Sequence, residues 1–256
     1  MAALPIKSQS LFANMKRLQD NVTLITGGGK GIGFGLATAF AREGSNLVLT
    51  GRTESRLLSA KDKLESEYGV HVLPLVADGA DENSVRSVVK SALDHFGKIN
   101  TLINNAQTSK SGLPLVEHTK ADFDLAIYSG LYAAFFYMRE CFPALKATKG
   151  SVINFASGAG LFGKLGQSSY AAAKEGIRGL SRVAAAEWGP DGVRVNVICP
   201  LAMTESLKQW KEQYPDLFEK TIQGIPLGHF ADPADDIGPV CVFLASEEAH
   251  YVTGET

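Results

Sequence analysis

Val22-Thr23-Leu24-Ile25-Thr26-Gly27-Gly28-Gly29-Lys30-Gly31-Ile32-Gly33 is the stretch that decides how this chain folds. Its first residues form a short apolar run of the buried-strand kind, and the run stops at a cluster of glycines. Past the cluster, Ile32, Leu36, Ala39 and Phe40 recur at helical spacing. A strand, a glycine turn and a helix start, in that order, bring backbone N–H groups close to a pyrophosphate at the positive end of a helix. A tight turn without any ligand has the same composition, so the loop needs support from the rest of the chain.

Outward from this stretch the pattern alternates. The sequence predicts a second strand over 46–49, then a charged helix with Leu57, Leu64 and Tyr68 on one face. A third strand is expected over 70–76, with Pro74 marking the neighbourhood of a strand end. Asp81 is placed to N-cap a helix carrying Val85, Val88, Val89, Ala92 and Phe96. Further strands are expected over 99–103, 152–155 and 193–198, with long helical patterns over about 121–147 and 168–188. Repeated strand–helix–strand units imply an α/β fold: a Rossmann-type, doubly wound parallel sheet with helices on both faces. Such sheets take ligands beyond the carboxyl ends of their strands, where the strand order reverses. No linker or repeat divides the chain. One domain is expected over 21–256, after an extension over 1–20 with a weakly amphipathic pattern at Leu11, Phe12, Met15 and Leu18.

Composition removes several function classes. The 256 residues include 25 basic and 27 acidic side chains, a formal charge of −2, which argues against nucleic-acid binding as the main role. No apolar run reaches the roughly 18 residues of a membrane span. The start of the chain lacks the apolar core of a secretory signal. Cys141, Cys199 and Cys241 are far apart and form no CxxC pair, which suits a reducing cytoplasm. His71, His95, His118, His229 and His250 show no metal-ligand spacing, so no metal is expected.

The end of the second strand reads Leu49-Thr50-Gly51-Arg52-Thr53. A dinucleotide fold that prefers NAD usually places an acid there, to accept hydrogen bonds from the adenine ribose. Gly51 and Arg52 stand in its place, and guanidinium suits a phosphate dianion. With Lys30 in the glycine loop, the expectation is NADP ahead of NAD, although surface Arg and Lys are more often simply solvated.

Tyr170 and Lys174 stand at i, i+4 in a helical pattern and so share a face. A tyrosine with its ordinary pKa near 10 is a poor base at neutral pH, and a nearby ammonium favours its phenolate. A YxxxK match alone is weak. It gains weight from Ser157, which lies 13 residues before Tyr170 at the end of the fifth strand, on the carboxyl edge of the sheet.

Together these residues resemble the one-domain short-chain dehydrogenase/reductases. The motifs stand in the family's order: Thr26-Gly27…Gly31-Ile32-Gly33, Asp78, Asn104-Asn105-Ala106, Ser157, Tyr170…Lys174, and Arg194-Val195-Asn196-Val197…Pro200. The resemblance implies hydride exchange between NADP(H) and a ketone or secondary alcohol, with Tyr170 as general acid/base. Ser157 is then expected to hold the reacting oxygen, and Lys174 to bind the nicotinamide ribose and keep the Tyr170 pKa low. Gly27, Gly29, Lys30, Gly31, Ile32, Gly33, Arg52, Asp78, Asn105, Ala106, Pro200 and Thr204 are expected in the cofactor site, beside Tyr170 and Lys174. An apolar or cyclic substrate is favoured by the aromatic segment 204–228, which matches the family's substrate lid and carries Trp210, Tyr214, Phe218 and Ile225, with Phe230 just beyond. These rings serve equally well to pack the lid.

Three positions depart from the family. Its Asn-Asn-Ala-Gly ends here in Gln107, its water-anchoring asparagine is Gly130 with Ser129 beside it, and its Pro-Gly after the sixth strand is Pro200-Leu201. Thr204 comes one place earlier than the family's nicotinamide-contacting threonine. These changes keep two alternatives open: a cofactor-binding protein with little turnover, serving as a sensor or scaffold, and an NAD-dependent alcohol dehydrogenase. The nearly unbroken apolar run 131–138 suggests a homodimer or homotetramer that hides it. By the resemblance, the chain stops where a last strand is expected to begin.

Overall fold

In the computed structural model, which describes residues 16–256, the glycine cluster joins β1 (Val22–Thr26) to α1 (Gly31–Arg42). Of the expected N-terminal extension, residues 1–15 lie outside the described residues, while Leu18 is buried in the core. The alternation continues through β2 (Asn46–Gly51), α2 (Glu54–Tyr68), β3 (Val72–Val76), α3 (Glu82–Phe96) and β4 (Thr101–Asn104). After β4 come α4 (Lys120–Ala126), α5 (Ala133–Thr148), β5 (Ser151–Phe155), α6 (Gly158–Phe162), α7 (Ser168–Trp188) and β6 (Arg194–Ile198). The chain closes with α8 (Glu205–Gln213), α9 (Pro215–Gln223) and α10 (Gly238–Ala245).

All neighbouring strands are parallel, in the order β3-β2-β1-β4-β5-β6. The order reverses between β1 and β4, which opens a crevice at their carboxyl ends. Side chains of successive strand residues alternate between two cores. Ile25, with Leu47 and Leu49, packs on one face against Leu36, Phe40, Leu57 and Cys241. Val22 and Leu24 point to the other face, among Val85, Val88, Tyr137, Cys141 and Ala184. This is the doubly wound α/β sheet expected from the sequence.

Local differences have local causes. Pro74 lies mid-strand in β3, paired with Leu49, and is not near a strand end. It is tolerated because β3 is an edge strand, where a missing N–H leaves no broken ladder bond. Asp81 does cap α3, accepting from the Asn83 N–H at 3.0 Å. The helical pattern over 121–147 is not continuous: between α4 and α5 lies one turn of π-helix, Ile127–Tyr132, containing Gly130. Such an insertion bends the helix where a glycine offers least resistance. The apolar run 131–138 divides in consequence. Ala133, Ala134, Tyr137 and Met138 are buried in the subunit's own core, while Tyr132 and Phe135 reach the surface beside Leu125 and Tyr128.

The last residues lie along β6 without forming a regular strand. Gly254 donates its N–H to the Val195 carbonyl at 2.8 Å, Val197 donates to the Glu255 carbonyl at 2.9 Å, and the Asn196 amide donates to the Val252 carbonyl. No helix among the described residues is long and apolar enough to cross a membrane.

Candidate active site

A cleft of about 460 Å3 opens at the reversal point between β1 and β4. Its floor is held by Thr26, the last residue of β1. The Thr26 hydroxyl accepts from the backbone N–H groups of Asn105 and Ala106, both at 3.0 Å, and the Asn105 side chain donates back to the Thr26 carbonyl at 3.0 Å. One threonine thereby fastens the glycine loop to the segment after β4. The sequence motif included Thr26 without assigning it this role.

The glycines answer to shape. A Cβ on Gly33 would overlap the Gly27 carbonyl oxygen and crowd the Asn105 amide, so only hydrogen fits there. Gly31 has φ +55° and open space where a side chain would stand, a left-handed conformation at little cost for glycine. The N-terminus of α1 has no side-chain cap and no acidic residue in its first turn. Its free N–H groups and positive dipole end therefore face the cleft, which suits a pyrophosphate. On these observations the cradle fits a dinucleotide.

Gly27, Gly29, Lys30, Gly31, Ile32, Arg52, Asp78, Asn105, Ala106 and Thr204 all line the cleft, as expected. Gly33 lies beneath the lining, and Pro200 is not part of the wall. Arg52 reaches across the cleft and donates to the Thr108 hydroxyl at 3.2 Å. Arg56, on the first turn of α2, also lines the cleft and was missed from sequence. Its signal was helical spacing: i+4 from Arg52 across the strand-to-helix turn. Among the described residues Lys30, Arg52 and Arg56 take part in no ion pair. Asp78 is steadied by the Ala80 N–H, which donates to its carboxylate at 3.0 Å. Thr204 N-caps α8, accepting from the Leu207 N–H at 3.3 Å.

Ser157, Tyr170 and Lys174 lie outside the cleft lining and gather beyond the end of β5. Ser157 N-caps α6, its hydroxyl oxygen accepting from the Ala159 N–H at 3.1 Å. That contact fixes the side chain and leaves the hydroxyl proton free to donate. The Lys174 ammonium is buried and donates to the carbonyl of Phe155, the last residue of β5, at 2.6 Å. It stands 5.6 Å from the centre of the Tyr170 ring. The orientation of α7 is set further along. Asn104 donates to Asn154 at 2.8 Å, Asn154 donates to the Ser181 hydroxyl at 2.8 Å, and all three are buried. This chain of amides ties β4 and β5 to α7.

Burial dominates the electrostatics of these groups. In this structure burial raises the Tyr170 pKa above its ordinary value, and the hydrogen bond with Ser157 opposes that only in part. Lys174 is desolvated as well, and burial brings its own pKa down to about 8. Among the described residues no group of three or more His, Cys, Asp or Glu side chains is placed to hold a metal ion.

The lid aromatics are largely packing residues. Phe218 and Phe230 are buried, 5.4 Å apart, and Trp210 lies 6.0 Å from Phe218. Tyr214, Leu217 and Leu227 of the same segment are exposed, and so, elsewhere in the chain, are Val116, Phe162 and Leu165. The loop after β4 is bound to the start of α7 by Gly112 with Gly166, Ser111 with Gln167, and His118 with Ser168.

Residues 27–256 match the family described as enoyl-(acyl carrier protein) reductase. The chain is 60% identical over 241 residues to the 12alpha-hydroxysteroid dehydrogenase of Clostridium sp. (strain ATCC 29733 / VPI C48-50), covering 92% of this chain and 93% of that one. Among solved structures, levodione reductase superposes with a TM-score of 0.88 at 33% identity, over 93% of this chain and 95% of that one. The L-sorbose reductase of Gluconobacter frateurii, complexed with NADPH and L-sorbose, superposes with a TM-score of 0.87 at 30% identity, over 94% and 95%. The chain belongs to the short-chain dehydrogenase/reductase family. It is an oxidoreductase acting on alcohol and carbonyl groups.

Proposed function

We propose that this enzyme interconverts a cyclic, apolar secondary alcohol and its ketone with NADP(H), and that Tyr170 is its general acid/base. The observation that carries this is the gathering of Ser157, Tyr170 and Lys174 at the carboxyl end of β5, alongside a cleft shaped for a dinucleotide. The nicotinamide, when bound, supplies or accepts the hydride. Tyr170 gives its phenolic proton to the carbonyl oxygen in reduction and takes it from the alcohol in oxidation. Ser157 donates its free hydroxyl proton to that same oxygen, holding it in line. Lys174, anchored on the Phe155 carbonyl, keeps N–H groups free for the nicotinamide ribose.

Five features support the finer points. Lys30, Arg52 and Arg56 line the cleft without ion-pair partners among the described residues, and no acid stands at the end of β2, which favours the 2′-phosphate of NADP. The exposed apolar side chains Val116, Phe162, Leu165 and Leu227 favour an apolar substrate. The 60% identity to a hydroxysteroid dehydrogenase favours a steroid-sized alicyclic compound. The surface face of Leu125, Tyr128, Tyr132 and Phe135 favours a homo-oligomer, and the free thiols Cys141, Cys199 and Cys241 suit the cytoplasm.

The test is oxidation of NADPH and of NADH against a ketone panel that includes oxo-steroids, with Arg52→Ala in parallel. A charge-assisted hydrogen bond is worth about 1.5–3 kcal/mol, so Arg52→Ala is expected to weaken NADPH binding roughly 10- to 100-fold and leave NADH unchanged. A preference for NADH that survives this substitution overturns the NADP assignment.

A further inference from the structure

Two side chains that line the cleft carry buried polar atoms with no hydrogen-bond partner among the described residues. The amide nitrogen and oxygen of Gln107 are both unpaired, and so is the side-chain oxygen of Asn104. Each such atom costs about 1–3 kcal/mol when left unmet. Three of them on one wall of a binding cleft indicate a site made for something polar.

Gln107 occupies its place because Gly130 has no side chain. A Cβ on Gly130 would lie 2.7 Å from the amide carbon of Gln107 and 2.9 Å from each of its polar atoms. Gly130 belongs to the π-turn, and the neighbouring Ser129 hydroxyl both accepts from the Thr108 N–H at 3.0 Å and donates to the Thr108 carbonyl at 2.8 Å. On the other side, Thr26 holds the N–H groups of Asn105 and Ala106. The loop is clamped before and after Gln107, so its amide is fixed against the turn. Ala133, Ala134 and Ile177 add apolar surface to the same cleft, and in an apolar surrounding a hydrogen bond is stronger than in water.

We propose that Gln107, whose amide fills the space that Gly130 leaves, is a binding residue for a hydroxyl group in the cleft. An amide with both its N–H and its C=O free is complementary to a group that accepts and donates at one atom, which is a hydroxyl. The hydroxyl belongs either to the nicotinamide ribose of the bound cofactor or to an ordered water retained beside it. The inference rests on the cleft being the dinucleotide site proposed above.

The test uses Gln107→Met, which keeps length and volume but removes both polar groups. NADPH and adenosine 2′,5′-bisphosphate, which lacks the nicotinamide ribose, are titrated calorimetrically, with thermal unfolding and steady-state kinetics measured alongside. If the hydroxyl is the ribose's, NADPH binding weakens about 3- to 10-fold per lost bond, binding of the bisphosphate holds, and Tm does not fall. If it is water's, NADPH affinity holds, kcat falls at unchanged KM, and the NADPH-loaded crystal structure shows a water on Gln107 that the variant lacks. Gly130→Ala, which crowds the amide, is expected to lower Tm; adding Gln107→Gly restores Tm but not the affinity or the kcat that Gln107→Met lost. The proposal is overturned if Gln107→Met matches the wild type in affinity and kcat. It is equally overturned if the variant loses Tm and weakens both ligands alike, the mark of a packing residue. Failure of the wild type to bind NADPH or NADH would instead remove the cofactor assignment.

Discussion

Lys174→Met removes the only Lys, Arg, Asp or Glu side chain that is buried among the described residues. Burial lowers the Lys174 pKa from 10.5 to about 8, which corresponds to a cost to the folded state of about 3 kcal/mol at neutral pH. The sign follows from proton binding. Between pH 8 and 10.5 the unfolded chain holds a proton on Lys174 that the folded protein has released, so stability rises with pH across that window. Below pH 8 both states are protonated and the whole cost is present; above 10.5 it is gone. Methionine has no such cost, but it leaves the Phe155 carbonyl without its donor, a loss of about 1–3 kcal/mol.

The variant is therefore expected to match the wild type or exceed it by up to about 2 kcal/mol at pH 7, and to fall below it by about 1–3 kcal/mol above pH 10.5. For a domain of this size the neutral-pH gain amounts to roughly 0–8 °C in Tm. The assay is equilibrium unfolding in urea of the unliganded proteins at intervals from pH 7 to 10.5. Only the difference between the two proteins is used, so that other titrating groups cancel. Activity with cofactor and ketone is measured beside it and should be almost lost in the variant. Stability curves that run parallel with pH would refute the reasoning, since they would mean that Lys174 titrates alike in both states.

Tyr170→Phe is expected to lower kcat by about 10²- to 10⁴-fold while cofactor affinity, read by fluorescence titration, stays within a factor of two or so. Because burial holds the Tyr170 phenol above its ordinary pKa, alcohol oxidation by the wild type should climb with pH through the alkaline range, while ketone reduction, which needs the protonated form, stays level near neutrality. Gly33→Ala drives a methyl group into the Gly27 carbonyl; a loss of about 1–3 kcal/mol in urea unfolding is expected, with NADPH binding abolished. Tyr132→Glu places a charge in the exposed aromatic row of Tyr128, Tyr132 and Phe135. Light scattering should then report a smaller species than the wild type, and a wild type that is already monomeric at micromolar concentration removes the oligomer proposal.

The alternation of apolar runs with helical periodicity was enough to specify the parallel sheet, because strands buried on both faces and helices buried on one leave different periods in sequence. The glycine loop, the missing acid after β2, and the spacing from Ser157 to Tyr170 to Lys174 were legible for the same reason: each is a local pattern on one or two elements. Gln107 and Gly130 could each be seen as a departure, yet not as a pair, since they lie 23 residues apart and meet only when the loop after β4 folds onto the π-turn. The role of Thr26, the ladder from Asn104 through Asn154 to Ser181, and the anchoring of Lys174 on Phe155 likewise join separate elements. The lid aromatics show the same limit in reverse: a ring facing substrate and a ring facing its own core have the same spacing. Burial at Phe218 and exposure at Phe162 are properties of the packed molecule. Sequence by itself determined the class of fold and singled out the candidate reacting groups. Tertiary structure decided which polar atoms are paired, which are desolvated and which are left free to bind, because those depend on neighbours that are distant along the chain.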